Sequence, residues 1–115
     1  MMKLTVNRSA FCEALKTAAA AAKSSSVTRV SGVYLYADAS KRILELTGTD
    51  VITSVVKRIR DADISMSGEI ILPPIVLEIL RKTKEESVTL ETDENGALGL
   101  SFGSARYLLV TRPVN

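Results

Sequence analysis

The chain runs through one unit twice, a strand, a helix and three further strands, and this repeat limits its fold more than any other feature. In the first half, residues 3–6 alternate polar and apolar as a half-buried strand does. Asn7 then stands where a helix N-cap belongs, and the spacing predicts a helix to about Lys23, with Phe11, Ala14, Leu15, Ala18 and Ala22 on one face. Glu13, Lys16 and Lys23 fall on the opposite face. A Ser-rich stretch ends the helix, and strands are predicted over 32–37, 42–47 and 51–59. The turns between them are Asp38-Ala39-Ser40-Lys41 and Gly48-Thr49-Asp50. The pattern then restarts. Residues 69–72 read as a strand, and Pro73-Pro74 suits a first helical turn, where a missing N–H costs nothing. The second helix is expected to run to Thr83 or Lys84 with Val76, Ile79, Leu80 and Thr83 inward. Strands follow over 87–92, 97–102 and 105–111, the first two joined by the hairpin signal Asp93-Glu94-Asn95-Gly96.

The halves superpose by arithmetic. An offset of 65 lays Phe11 on Val76, Glu13 on Glu78, Leu15 on Leu80 and Lys16 on Arg81. In the strands the offset is 55, laying Val33 on Val88, Leu35 on Leu90, Asp38 on Asp93, Gly48 on Gly103 and Lys57 on Arg112. The ten residues between the offsets sit in the longer connection after the first helix. Self-similarity at fixed offsets marks a repeated architecture. Each helix has one apolar stripe, so both must lie on sheet. The expected fold is therefore α+β, with antiparallel sheets, a pseudo-twofold axis and both helices on one side. One domain should span residues 1–115, with internal repeats over about 1–66 and 67–115.

Composition narrows the chemistry. Histidine is absent from the 115 residues, which removes Ser–His–Asp and Cys–His catalysis and leaves a zinc site only Cys12 and carboxylates. Asp50, Asp61 and Asp63 are carboxylates near one another in sequence, but nothing supplies a base or nucleophile beside them. No catalytic residue, metal or cofactor is expected. Cys12, the single cysteine, reads as a small buried hydrophobe and fits a reducing compartment. The first residues have no continuous apolar run of the signal-peptide kind, and the expected location is cytoplasmic. A net charge of +2, from 15 Lys and Arg against 13 Asp and Glu, does not by itself argue for nucleic acid. Any contact with DNA requires the cations to be sorted onto one face. Tyr34, Tyr36 and Tyr107 read as strand packing residues before they read as base-stacking ones.

Several ordered segments resemble a known family. Met2-Lys3-Leu4-Thr5-Val6 before a helix resembles the opening of the bacterial DNA sliding clamp, the DNA polymerase III beta subunit, and Leu46-Thr47-Gly48-Thr49-Asp50 resembles the turn between that family's second and third strands. Ile71-Leu72-Pro73, a helix ending Leu80-Arg81-Lys82, and Arg106-Tyr107 in the last strand resemble it too, in the right order across essentially the whole chain.

The resemblance implies a non-catalytic N-terminal clamp domain, the first of three in a chain. Two such chains, head to tail, form a ring that encircles duplex DNA without regard to sequence and confers processivity on the polymerase. It implies DNA-facing positions at Lys16, Lys23, Ser25, Arg29, Arg81 and Lys82, where Ser25 replaces a basic residue of the family and Ile75 another. It also implies a subunit interface at Val76, Arg106 and Tyr107. The implied partners are other clamp domains or a second clamp subunit, with polymerase and clamp loader met through the full-length clamp. A protein-interaction module of clamp fold that does not encircle DNA is the alternative, and an enzyme using Cys12 or carboxylates is the third reading.

Overall fold

The computed structural model describes residues 1–23, 32–49, 54–60 and 62–110. Along the chain these form β1 (Lys3–Asn7), α1 (Arg8–Lys23), β2 (Val33–Asp38), β3 (Ile43–Thr49), β4 (Ser54–Arg60), β5 (Asp63–Met66), β6 (Gly68–Leu72), α2 (Ile75–Arg81), β7 (Ser87–Thr92), β8 (Ala97–Phe102) and β9 (Ala105–Val110). The strands make two sheets, ordered β5-β1-β7-β8-β9 and β4-β3-β2-β6. Every pairing between described strands is antiparallel.

The halves exchange their first strands. β1 from the first half pairs with β7 from the second, and β6 from the second pairs with β2 from the first. Polar contacts fasten both exchanges. Thr5 Oγ1 lies 3.0 Å from Thr89 Oγ1 across β1 and β7, and the Tyr34 hydroxyl donates to Glu69 Oε2 at 2.5 Å across β2 and β6. Arg8, at the junction of β1 and α1, reaches the far end of the other helix. Its backbone N–H donates to Glu86 O at 2.7 Å, its Nε to Glu85 O at 2.7 Å, and its Nη1 to Leu80 O at 3.5 Å. A cation on the carbonyls that close a helix also suits the helix dipole.

One core fills the space between the sheets and the helices. Alternate residues of the strands supply Leu4, Leu35, Leu44, Leu46, Leu90, Leu98 and Leu100, while α1 adds Phe11, Ala14, Leu15 and Ala18, and α2 adds Val76, Leu77 and Leu80. α1 begins as its sequence predicts, since Asn7 Oδ1 accepts from the Ala10 N–H at 2.9 Å. The repeated aspartates do the same work in both halves. Asp38 Oδ1 accepts from the Ser40 and Lys41 N–H groups at 3.0 and 3.2 Å, and Asp93 Oδ1 from the Asn95 and Ala97 N–H groups at 2.8 and 3.0 Å. The Ser40 hydroxyl and then these N–H groups hold the Asp38 carboxyl below its ordinary pKa.

Four expectations are corrected. Gly48 and Thr49 are not a turn: β3 runs through both. A β-carbon on Gly48 would lie 1.7 Å from Ala18 O, so this glycine is bare in order to admit the α1 backbone. Its counterpart Gly103 does lie in a turn, with φ +57°, a left-handed conformation that suits glycine. Asp63 opens β5, which pairs with β1 and has only Ile64 buried, too little alternation to read as a strand. α2 stops at Arg81, with Lys82 as C-cap donating to Ile79 O, because Leu80 is its last core residue. Finally, Val76 is 0% exposed and belongs to the core, so its side chain has no surface to offer another subunit. The predicted strand starts at 51–53, the end at 111, and Asp50 and Asp61 lie outside the described residues.

The glycine pair makes a stability prediction. Gly48→Ala must push α1 off β3 and should cost about 3 kcal/mol or more, at the upper end of overpacking effects. Gly103→Ala, strained by φ and facing the flexible tip of the Glu85 side chain, should cost only about 1–2 kcal/mol. Urea midpoints of the two variants check this, and equal losses would refute it.

A second prediction concerns Tyr34. The hydrogen bond to Glu69, then burial, then the Glu69 charge push its pKa from the ordinary 10.0 up to about 12. Because the folded value is raised, this interaction stabilises fully below pH 10.0 and is lost as pH rises through about 12. Absorbance titration at alkaline pH should show one tyrosine ionising late, and Glu69→Ala should return it toward its ordinary value.

Candidate nucleic-acid and subunit interfaces

The two helices touch each other and turn polar faces outward. On α1 the buried positions Phe11, Ala14, Leu15 and Ala18 leave Glu13, Lys16, Thr17 and Ala20 exposed. On α2 the buried Val76, Leu77 and Leu80 leave Glu78 and Arg81 exposed, with Lys82 exposed at the cap. The described part of this face thus carries three cations, Lys16, Arg81 and Lys82, against the carboxylates Glu13 and Glu78. Arg81 is partly committed, since its Nη1 lies 3.5 Å from Glu78 Oε1 one turn back. An exposed pair at this spacing holds weakly and yields readily to a stronger anion. Lys16 and Lys82 have no ion-pair partner among the described residues. The Lys23 backbone closes α1, while its side chain, Ser25 and Arg29 lie outside the described residues.

An apolar cleft of about 320 Å³ opens between the helices, walled by Leu15, Ala19, Leu72, Pro74, Ile75 and Leu77, with Glu78 at its rim. Nothing in it pairs a base with a nucleophile. Among the described residues no three His, Cys, Asp or Glu side chains converge to hold a metal. Cys12 is half-buried. No described helix is long and apolar enough to cross a membrane.

β9 is the outer strand of its sheet, pairing with β8 alone among the described strands. Arg106 and Tyr107 both lie on it and are exposed, on opposite faces. The Arg106 guanidinium folds back across the sheet, and a β-carbon on Gly99 would come within 3.1 Å of its Nη2. Tyr107 stacks on Phe102, with ring centroids 5.6 Å apart, and is 42% exposed. Sequence reasoning missed the more exposed apolar side chains of the same strand, Leu108 at 70% and Val110 at 90%. The run Tyr107-Leu108-Leu109-Val110 carried the signal, because apolar residues on both faces break the alternation of an ordinary surface strand. Ile75, 50% exposed beside the buried Val76, likewise reads in the sequence only as the place of an absent cation.

Comparison with known proteins gives this fold a family. The DNA polymerase III beta subunit, N-terminal domain, matches residues 2–115. No curated protein matches the chain in sequence. Among solved structures, the DNA polymerase sliding clamp from Pseudomonas aeruginosa is 26% identical with a TM-score of 0.86, over 98% of this chain and 31% of that one. The sliding clamp from Caulobacter crescentus is also 26% identical, at TM-score 0.85, over 98% of this chain and 31% of its own. The Bacillus subtilis clamp, 22% identical over 96% of this chain and 31% of its own, shares the fold at TM-score 0.87. The chain spans about a third of the length of these structures. With the duplicated antiparallel sheets, the paired helices and a match across nearly every residue, the chain belongs to the family of the DNA polymerase III beta subunit, N-terminal domain.

Proposed function

We propose that this chain is a segment of a ring-shaped sliding clamp that encircles duplex DNA and gives a replicative polymerase its processivity. The observation that carries the reading is the family match over residues 2–115. The segment is non-catalytic, and its work is to contribute wall. The face made by α1 and α2 looks toward the DNA, with Lys16, Arg81 and Lys82 as phosphate contacts and Lys23, Ser25 and Arg29 as the further DNA-facing positions of this reading. The sparse charge of this face supports the reading. Each phosphate neutralised releases counterions and tightens binding, so a surface that must slide needs few such contacts and no base-edge readout.

The subunit contact is the β9 edge. Arg106 and Tyr107 stand there, and the exposed Leu108 and Val110 extend the surface that a partner would cover. An unpaired edge with apolar side chains invites another strand, and a closed ring satisfies it without an open-ended polymer. The partners are then further clamp domains or a second clamp subunit, with polymerase and clamp loader engaging the full-length clamp. The family's location in this reading is the cytoplasm.

Charge changes on the helix face test the DNA contact. Anisotropy of a labelled short duplex at low salt should show weaker binding on Lys16→Ala and on Lys82→Ala. A cation that truly neutralises a phosphate should, when replaced, lower the slope of log affinity against log salt by roughly 0.9. Glu78→Gln, which frees Arg81, and Glu13→Lys should strengthen binding. If all four variants bind as the parent does, the face does not meet DNA and the interaction-module alternative is preferred.

A further inference from the structure

The outward faces of the two sheets are equivalent in the repeat but unlike in charge. In the four-stranded sheet Leu35, Ala37, Leu44, Leu46, Ile70 and Leu72 are buried, so the residues alternating with them turn away from the core and from α1. Register sorts these outward residues into rows across the sheet. One row runs Glu69, Tyr36, Glu45, Arg58, so that Tyr36 stands directly between two carboxylates. The next runs Ile71, Tyr34, Thr47, Val56. Glu45 is engaged by Arg58. Glu69 accepts from the Tyr34 hydroxyl but has no ion-pair partner among the described residues.

The other sheet fills the same place differently. The strand offset of 55 lays Tyr36 on Glu91. Opposite Glu91 the exchanged strand β1 sets Lys3, with Nζ 4.0 Å from Glu91 Oε2. Opposite Tyr36 the exchanged strand β6 sets an acid, Glu69. The exchange thus brings a cation to the carboxylate of one sheet and leaves the acid–aromatic–acid row of the other short of one.

We propose that the outward face of the four-stranded sheet docks an extended peptide segment of a partner protein, with a Lys or Arg of that segment held on Tyr36 beside Glu69.

The row selects a cation. An ammonium or guanidinium group is drawn to the face of a tyrosine ring, and a carboxylate across the strand pair adds to the attraction. Arg58 takes the Glu45 side, which leaves the Glu69 side open to a visitor. The hydrogen bond to Glu69, burial, and the Glu69 and Glu45 charges all oppose ionisation of Tyr34, a sign that the local field is negative. A nucleic-acid phosphate placed here meets two carboxylates and is repelled.

The neighbouring row selects a peptide over a bare cation. Ile71, Tyr34 and Val56 make it largely apolar, and rows on one face lie roughly 7 Å apart, the rise of two strand residues. An extended segment with a cation at one position and an apolar side chain two residues on meets both rows at once. A polybasic segment fits less well, because Arg58 and Arg60 line the β4 side of the face and repel it. This face lies on the other side of the sheet from α1, so the proposal goes beyond the DNA contact of the helices and does not rest on it.

The test is an amide-shift titration of the isotopically labelled full chain with three capped five-residue peptides. All have Thr at the first, third and fifth positions and Leu at the fourth, and they differ only in carrying Lys, Gln or Glu at the second. The Lys peptide should shift the amides of residues 34–36, 45 and 69–71 and bind more tightly than the Gln peptide by about threefold or more, with the Glu peptide weakest. Tyr36→Phe, which keeps a ring face, should retain that preference, whereas Tyr36→Leu and Glu69→Gln should each abolish it. Glu91→Gln, on the other sheet, should leave it unchanged. Equal binding of the Lys and Gln peptides would overturn the proposal, as would unmoved amides with all three. A preference for Lys that survives both Tyr36→Leu and Glu69→Gln would overturn it by placing the cation elsewhere. Spermidine shifting the same amides as strongly as the Lys peptide would overturn it in favour of a free polyamine. Concentration-dependent self-association that moves these amides without peptide would overturn it in favour of a second copy.

Discussion

Helix α1 can lie where it does only because β3 carries no side chain opposite Ala18. The missing β-carbon of Gly48 leaves the room that the Ala18 carbonyl occupies. At this one place helix and strand meet backbone to backbone. The approach fixes which stripe of α1 faces the sheet, driving Phe11, Leu15 and Ala18 to full or nearly full burial. Because successive helical residues are turned by a set angle, the same approach also fixes what faces outward, namely Glu13, Lys16 and Thr17. The electrostatic character of the helix surface is thus a consequence of a packing constraint on its other side.

The exchange of first strands extends that constraint to the whole molecule. Neither three-strand meander completes its sheet alone, because β1 and β6 each leave their own half to pair with the other. Arg8 strengthens the coupling by joining the start of α1 to one carbonyl in the last turn of α2, Leu80 O, and one beyond it, Glu85 O. The relative placement of the helices is therefore set by backbone pairing in both sheets, a stiffer determinant than side-chain contact between the helices. A surface divided between two helices keeps its shape only under such a restraint.

Much of this was legible in the sequence because alternation and helical spacing are local. Asn7 as N-cap, the core faces of both helices, the aspartate turns and the limits of β7 and β8 follow from neighbouring residues. What the sequence hid was non-local. Gly48 reads as a turn because glycine signals both turning and close approach, and only the position of α1 decides between them. β5 exists by virtue of its pairing with β1, not of its own pattern. Val76, by contrast, reads inward from helical spacing and is placed at an interface only by the resemblance, and its full burial agrees with the spacing. At the candidate DNA face, spacing placed Lys16, Arg81 and Lys82 on the surface and put Glu78 within reach of Arg81. It could not say whether that pair forms. Lys23, Ser25 and Arg29, expected at the same face, have side chains outside the described residues.

The duplication conserves some physics and divides the rest. Asp38 and Asp93 are equivalent in sequence and equivalent in action, each gathering the N–H groups of its turn. Gly48 and Gly103 are equivalent in sequence only, one bare for space and the other for a left-handed backbone. The outer strands diverge further. β4 and β9 hold the same place in their meanders, yet β4 exposes Lys57, Arg58 and Arg60 beside one apolar residue, Val56, whereas β9 exposes Tyr107, Leu108 and Val110 beside one cation, Arg106. A neighbour that suits one edge does not suit the other: the first asks for charge, the second for apolar cover with an acceptor for Arg106. Two edge strands at equivalent places in the repeat are thus chemically unlike, so one partner strand does not serve both. The difference arises from substitutions on exposed strands that leave the duplicated core intact.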